Sequence, residues 1–199
     1  MDGTALADAA GAMILLHGRG GSAADILGLG HAISPPGWAI LAPQAAGNTW
    51  YPYSFLEPRD RNEPFLTSAL ERVRSAMDIV LNAGIPTERF VVAGFSQGAC
   101  LATEFVGRNP RRYGALLAFT GGLIGSPGEA LGLTGDLEGT PVLLSSGDPD
   151  PHVPWARVAQ SADSLIAIGA RMSLRRFPGR PHTILPEEID MAQKLLLQI

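Results

Sequence analysis

Cysteine and lysine are almost absent from this chain. Cys100 is the sole cysteine, which excludes an internal disulfide and a cysteine-based zinc cluster. Lys194 is the sole lysine, against a Lys plus Arg total of 15. It lies near the C-terminus in a segment with helical patterning. Neither the Gly-Lys-Ser/Thr of a P-loop nor a pocket lysine for a Schiff base is therefore available. The four histidines, at 17, 31, 152 and 182, show no His-x-His or His-Glu-x-x-His spacing, so no histidine metal site is expected. Charge is scarce as well. Only 17% of residues are charged, the net charge is −4 and no basic run occurs, which leaves no nucleic-acid footprint. Apolar runs such as Ala12–Leu16 fall far short of the ~20 residues that span a bilayer. The first residues carry Asp2 and Asp8 but no Lys or Arg, unlike a secretory leader. These absences lead to the expectation of a soluble, cytoplasmic protein with no metal, no nucleic-acid partner and no membrane insertion.

What is present is a well-supplied core. Hydrophobic residues make up 46% of the 199, too many for a disordered chain and enough for one domain, here taken as residues 1–199. Short apolar runs alternate with longer helical patterns. Ala12–Leu16, Ala39–Ala42, Phe90–Ala93, Ala115–Phe119, Val142–Ser145 and Met172–Phe177 read as strands, most of them apolar on both faces, as parallel strands covered on both sides are. Between them, helices are expected from Ser22 to about Leu29 with Gly30 as the stop, and from Leu66 to Leu81 between Pro64 and Gly84. Others are expected over Gln97–Arg108, Pro154–Ile168 and Pro186–Leu197. This alternation predicts a three-layer α/β fold with a mostly parallel sheet of about six to seven strands.

One connection lacks regular patterning. From Pro43 to Asn62 it carries Trp50, Tyr51, Tyr53 and Phe55. Long loops in α/β folds wall ligand sites at the carboxyl ends of strands, so Trp50 and Tyr51 are candidate substrate contacts. The alternative is a loop held to the surface by its own aromatics.

Gly94-Phe95-Ser96-Gln97-Gly98 is a Gly-x-Ser-x-Gly placed between a strand and a helix pattern. A nucleophile on so sharp a turn needs neighbours without Cβ atoms on either side. Ser96 is then the nucleophile and the Gln97 backbone N–H an oxyanion donor. A base and its orienter should follow in the order acid, then histidine. Gly147-Asp148-Pro149-Asp150 follows one late strand and Gly179-Arg180-Pro181-His182 the next. His182 is the candidate base. Asp150 is favoured as its partner because it fits Gly-x-x-Asp-x-x-Val over 147–153, with Asp148 as the competitor. After the first strand, His17-Gly18-Arg19-Gly20-Gly21 supplies a glycine-rich loop in which the Arg19 N–H is the second oxyanion donor and His17 is structural. Gly18–Ala23 also matches a dinucleotide fingerprint, but the next strand ends Ala42-Pro43-Gln44 with no acid to hold a ribose.

Taken together, LHGRGG, APQAAGNTWYPYSF, GFSQGA, GDPDPHVP and the late Pro-His resemble the phospholipase/carboxylesterase family of α/β hydrolases, which includes acyl-protein thioesterases. The resemblance covers essentially the whole chain. It implies the minimal α/β hydrolase fold without a cap domain and cofactor-free cleavage of small or medium acyl esters through Ser96, Asp150 and His182. Lysophospholipase or thioesterase activity is the alternative, and a non-catalytic scaffold is the rival from another class. Leu123 and Ile124 are candidate acyl-pocket residues, and a homodimer is compatible with the family. Departures occur at Arg19 and Gly21, where thioesterases carry apolar and acidic residues. The Arg19 guanidinium is accordingly expected either over the cleft, favouring an anionic or polar substrate, or solvated on the surface.

Overall fold

The computed structural model describes residues 1–199. Strands β1 (Asp2–Gly3), β2 (Gly11–Leu16), β3 (Trp38–Leu41), β4 (Phe90–Phe95), β5 (Ala115–Phe119), β6 (Pro141–Asp148) and β7 (Arg171–Pro178) form one seven-stranded sheet in the order β1-β3-β2-β4-β5-β6-β7. All neighbours are parallel except β1, which runs antiparallel along β3. The helices are α1 (Ala23–Ile33), α2 (Phe65–Asn82), α3 (Gln97–Arg108), α4 (Trp155–Ala167) and α5 (Pro186–Leu196).

Side-chain alternation sorts the strands between two cores. In β2, Ala12, Ile14 and Leu16 join a large cluster with Leu66 and Val73 of α2, Leu101 and Phe105 of α3, and Val158 and Leu165 of α4. Met13 and Leu15 point the other way, with Ile26 and Ile33 of α1 and Ala192 and Leu196 of α5. A sheet buried on both faces needs apolar residues at every position, which is why β2, β4 and β5 read as continuous runs. Three layers and a mostly parallel sheet follow, as expected from the alternation, and no separate cap covers the carboxyl ends.

Two local differences have clear causes. The helix at Ser22 is capped as expected, with Asp25 returning a bond to the Ser22 N–H, but it runs past Gly30 to Ile33. Gly30 is a packing residue there: a Cβ would stand 2.3 Å from Leu15 Cδ1. Strand β1 was not foreseen, because two exposed residues on a sheet edge leave no periodic signal.

The strand order reverses between β3 and β4, on either side of β2. Loops leaving the carboxyl ends of β2 and β4 diverge at such a point and open a crevice. The 17–21 loop and Ser96 both lie there.

Candidate active site

Ser96 sits between β4 and α3 with φ 55° and ψ −120°, a left-handed conformation that costs a side-chain-bearing residue about 1–3 kcal/mol. The turn is held by the Ser96 N–H donating to Phe119 O and the Cys100 N–H donating to Ser96 O, both at 3.0 Å. The flanking glycines are sterically required. A Cβ on Gly94 would lie 2.4 Å from the Gly98 carbonyl oxygen, and one on Gly98 would lie 2.0 Å from Leu16 O. The second approach also brings the 17–21 loop against the first turn of α3.

Three side chains from three strand ends meet at this elbow. The Ser96 hydroxyl is 2.9 Å from His182 Nε2, and His182 Nδ1 is 2.9 Å from Asp150 Oδ2. With Nδ1 donating to the carboxylate, Nε2 is left to accept the serine proton. The other Asp150 oxygen accepts from the N–H groups of His152 and Val153, both at 2.9 Å. Its side chain is fully covered, while that of His182 is 20% exposed. Burial by itself pushes the Asp150 carboxyl up, but the hydrogen bonds from His182, His152 and Val153 outweigh it and hold its pKa below the usual carboxylate value. Asp148, the competing acid, faces away and pairs with Arg176. Rings flank the imidazole: Phe95 at 5.1 Å between centroids and His152 edge-on at 4.9 Å.

The segment carrying His182 is braced from below by a buried ion pair that sequence reasoning missed. Arg180 Nη1 lies 2.6 Å from Glu188 Oε2 in α5, with Arg180 and Glu188 side chains 1% and 0% exposed. The same guanidinium donates to the Thr183 carbonyl and the Thr120 hydroxyl. Glu188 in turn accepts from the Ser145 hydroxyl and from the Leu185 N–H at 2.8 Å. Ends of β5, β6 and β7 and the start of α5 are thereby tied together beneath the imidazole.

Above the elbow, the backbone N–H groups of Arg19 and Gln97 are taken by no other group of the chain. Gln97 opens α3, where unpaired N–H groups and the helix dipole favour negative charge. Gly18 approaches Ser96 closely enough that a Cβ would touch the serine Cβ at 3.4 Å. Two unpartnered backbone donors therefore lie on the two segments that meet at Ser96, which makes them candidates for holding a developing oxyanion.

The aromatic loop does wall the cleft, but its fixing points differ from expectation. The Arg19 side chain is exposed and lines the cleft, and its guanidinium is pinned to the loop backbone. It donates to three consecutive loop carbonyls, Tyr51, Pro52 and Tyr53, at 3.0, 2.9 and 2.7 Å. The Gln97 side chain accepts from the Trp50 N–H and donates to Tyr51 O, at 3.0 and 2.8 Å. Buried Asn62, overlooked because an isolated Asn in a loop carries no pattern, accepts from the Tyr53 N–H and donates to Ser54 O.

Tyr51 lines the cleft of about 800 Å³ with Phe55, Leu56, Val153, His152 and Cys100. Trp50 does not. It is buried behind the 17–21 loop, its indole N–H donating to His17 O at 2.8 Å and its ring 4.9 Å from the His17 ring. Leu123 and Ile124 are also misplaced by the sequence reading. Both are fully buried outside the cleft, their N–H groups bonded to Ser161 Oγ and to Glu104, because the chain turns back under α3 and α4 after β5. His17 is structural, donating through Nδ1 to Gly18 O and accepting the Ala45 N–H. Cys100 lies at the cleft floor, where burial pushes its thiol up to about 12.

No group of three or more His, Cys, Asp or Glu side chains is placed to hold a metal ion, and no helix is long and apolar enough to cross a membrane. What the site offers is a hydroxyl, a base, a carboxylate and two free N–H groups on one sheet edge.

Known proteins share this arrangement of elements. The phospholipase/carboxylesterase of Dyadobacter fermentans superposes with a TM-score of 0.95 at 47% identity, covering 98% of this chain and 94% of that one. Acyl-protein thioesterase 1 of Gibberella zeae is 30% identical over 118 residues, 58% of this chain and 50% of the relative. A probable carboxylesterase of Arabidopsis thaliana is 28% identical over 138 residues, 69% of this chain and 53% of the relative. The chain thus spans about half the length of the curated relatives it matches. The phospholipase/carboxylesterase family model matches residues 5–198, and the chain, with its α/β hydrolase fold, belongs to that family.

Proposed function

We propose that this chain, acting as one domain over residues 1–199, is a serine hydrolase of carboxylic esters with small or medium acyl groups. The observation that carries the reading is the continuous Ser96–His182–Asp150 chain, 2.9 Å at each link, on a strained elbow. A serine hydroxyl is a weak nucleophile until a base is within hydrogen-bond reach and that base is oriented by a third group.

The reaction runs in two halves. His182 Nε2 takes the Ser96 proton as Oγ bonds to the carbonyl carbon, and the oxyanion is held by the Arg19 and Gln97 N–H groups. His182 then gives the proton to the departing alkoxy oxygen as the carbon–oxygen bond breaks, leaving the acyl group on Ser96. Water enters, loses a proton to His182 and attacks the acyl carbon, and Ser96 departs with that proton. Asp150 keeps the imidazole in the tautomer with Nδ1 protonated and stabilises its cation. The apolar walls at Phe55, Leu56 and Val153 suit an acyl chain. Thioester cleavage is the second reading, favoured by the similarity to an acyl-protein thioesterase. A lone, buried Cys100 fits a reducing, cytoplasmic setting.

A fluorophosphonate followed by intact mass measurement tests the nucleophile without a guessed substrate. One adduct on the wild type and none on Ser96→Ala is expected, with turnover of a butyrate ester falling about 10⁵–10⁶-fold in the variant. A folded wild type that takes no adduct overturns the reading and favours a non-catalytic scaffold.

A further inference from the structure

A second recess opens onto the same imidazole. Between α1 and the 182–184 segment lies a groove of about 420 Å³ whose apolar walls are Ile26, Leu29, Phe95 and Ile184. Arg19, Phe95 and His182 line both this groove and the larger cleft, whereas Ser96 and Gln97 line the larger cleft alone. The nucleophile and the elbow N–H thus belong to one side of the site, and the proton donor is shared.

The division has a chemical meaning. When the tetrahedral intermediate collapses, the acyl carbon stays bonded to Ser96, so the acyl chain stays on the Ser96 side. The departing oxygen takes its proton from His182 Nε2, so whatever carbon chain it carries must leave on the His182 side. We infer that the α1 groove is the binding site for the alcohol half of the substrate, and that this half is an uncharged alkyl or similarly apolar alcohol.

Charge at the rim points the same way. The two charged side chains there are already committed, Asp25 to the Ser22 N–H and hydroxyl and Arg19 to three loop carbonyls. Both are exposed and of opposite sign, so the groove carries no net formal charge to select an anionic or a cationic alcohol. Its walls are partly covered hydrophobic residues that belong to the α1 and α5 face of the core, so an alkyl chain would complete their burial.

The inference rests on the proposed hydrolase reading and adds a consequence by reversibility. An alcohol seated in the groove can give its O–H proton to His182 while its oxygen bonds to the acyl carbon and Ser96 leaves with the proton. Acyl transfer to that alcohol then competes with transfer to water, with every bond and proton balanced.

The test holds the acyl group fixed and varies the alcohol: methyl, butyl and hexyl butyrate, with acid release followed at constant pH. These alkanols differ little in acidity, so the chemistry is constant along the series. The acyl-enzyme is also the same whichever alcohol has left. Transfer of methylenes into a half-open apolar groove should raise kcat/KM by about tenfold or more from methyl to hexyl. In Leu29→Asp, and independently in Ile184→Asn should the first variant fold poorly, the hexyl-to-methyl ratio should fall to within about threefold of unity. During turnover of 4-nitrophenyl butyrate, hexanol should capture more acyl group than ethanol at equal concentration, and the two variants should lose that preference. A flat wild-type series with hydrolysis intact overturns the groove assignment alone, as does a slope that survives in the folded variants. No hydrolysis of any ester, together with no fluorophosphonate adduct, overturns the hydrolase reading and the groove with it.

Discussion

Replacing Arg180 by methionine should unfold the brace beneath His182 and expose how much of the site depends on it. The side chains of Arg180 and Glu188 are 1% and 0% exposed, so the variant leaves a carboxylate in the interior with no cation. Removing one partner of a buried ion pair costs about 3–5 kcal/mol, whereas replacing both with apolar groups of similar volume is close to neutral. Arg180→Met should therefore lose about 3–5 kcal/mol of unfolding free energy at pH 8. Arg180→Met with Glu188→Leu should recover at least half of it. Recovery stays incomplete because the Thr120 and Ser145 hydroxyls and the Thr183 carbonyl lose their partners.

Urea unfolding of the wild type and both variants at pH 8, followed by tryptophan fluorescence, reads these differences directly. The rate of fluorophosphonate labelling at Ser96, measured where each protein is fully folded, reads the positioning of His182. A loss below about 1 kcal/mol at pH 8, or a double variant no more stable than the single, would refute the reasoning.

Asp150→Asn should lower kcat about 10³–10⁴-fold through the wrong histidine tautomer. Because the wild-type carboxyl sits below its ordinary value, its stabilising contribution is present above the unfolded pKa of ~3.9 and lost as pH falls through the folded one. The Asn variant should be less stable at pH 7 in urea, with a flatter stability curve below about pH 4. Cys100, with its thiol pushed up to about 12, should resist iodoacetamide at pH 8 in the native protein and react on unfolding; rapid native alkylation counts against its burial. Arg19→Ala removes three side-chain bonds to the loop but keeps the backbone donor. It should cost about tenfold in kcat/KM while fluorophosphonate labelling persists, and loss of labelling would tie the guanidinium to the oxyanion site itself.

The elements and the convergence of Ser96, His182 and Asp150 could be read from local pattern, because their causes are local. α3 begins at Gln97 and ends at Arg108 as the sequence predicts, since the elbow glycines start it and its apolar face repeats every turn. Ser96, Asp150 and His182 each follow a strand, and a parallel sheet brings strand ends together whatever lies between. The failures share the opposite property. Leu123 and Ile124 are apolar whether they face a cleft or the core, and only the fold decides which. The carbonyls bound by Arg19 lie 32 to 34 residues away and carry no side-chain signature at all. Arg180 and Glu188 are eight residues apart, yet in the sequence they look like two surface charges. Their burial depends on α5 closing over the ends of β5 and β6.

The loop over the cleft is held by its main chain. Arg19, Gln97 and Asn62 reach it through the carbonyls of residues 51–54 and the N–H groups of Trp50 and Tyr53. None of these bonds reads what side chain stands at those positions. Half-exposed Tyr53 can therefore be exchanged while the loop keeps its path and Ser96 keeps its neighbours, whereas Phe55 is also packed into the core and the Ser54 hydroxyl accepts the Leu56 N–H. The rim of the cleft and the frame around Ser96 are thus partly separable inheritances: a lineage can alter the rim by drift at Tyr53 without passing through a form in which that frame has to be rebuilt.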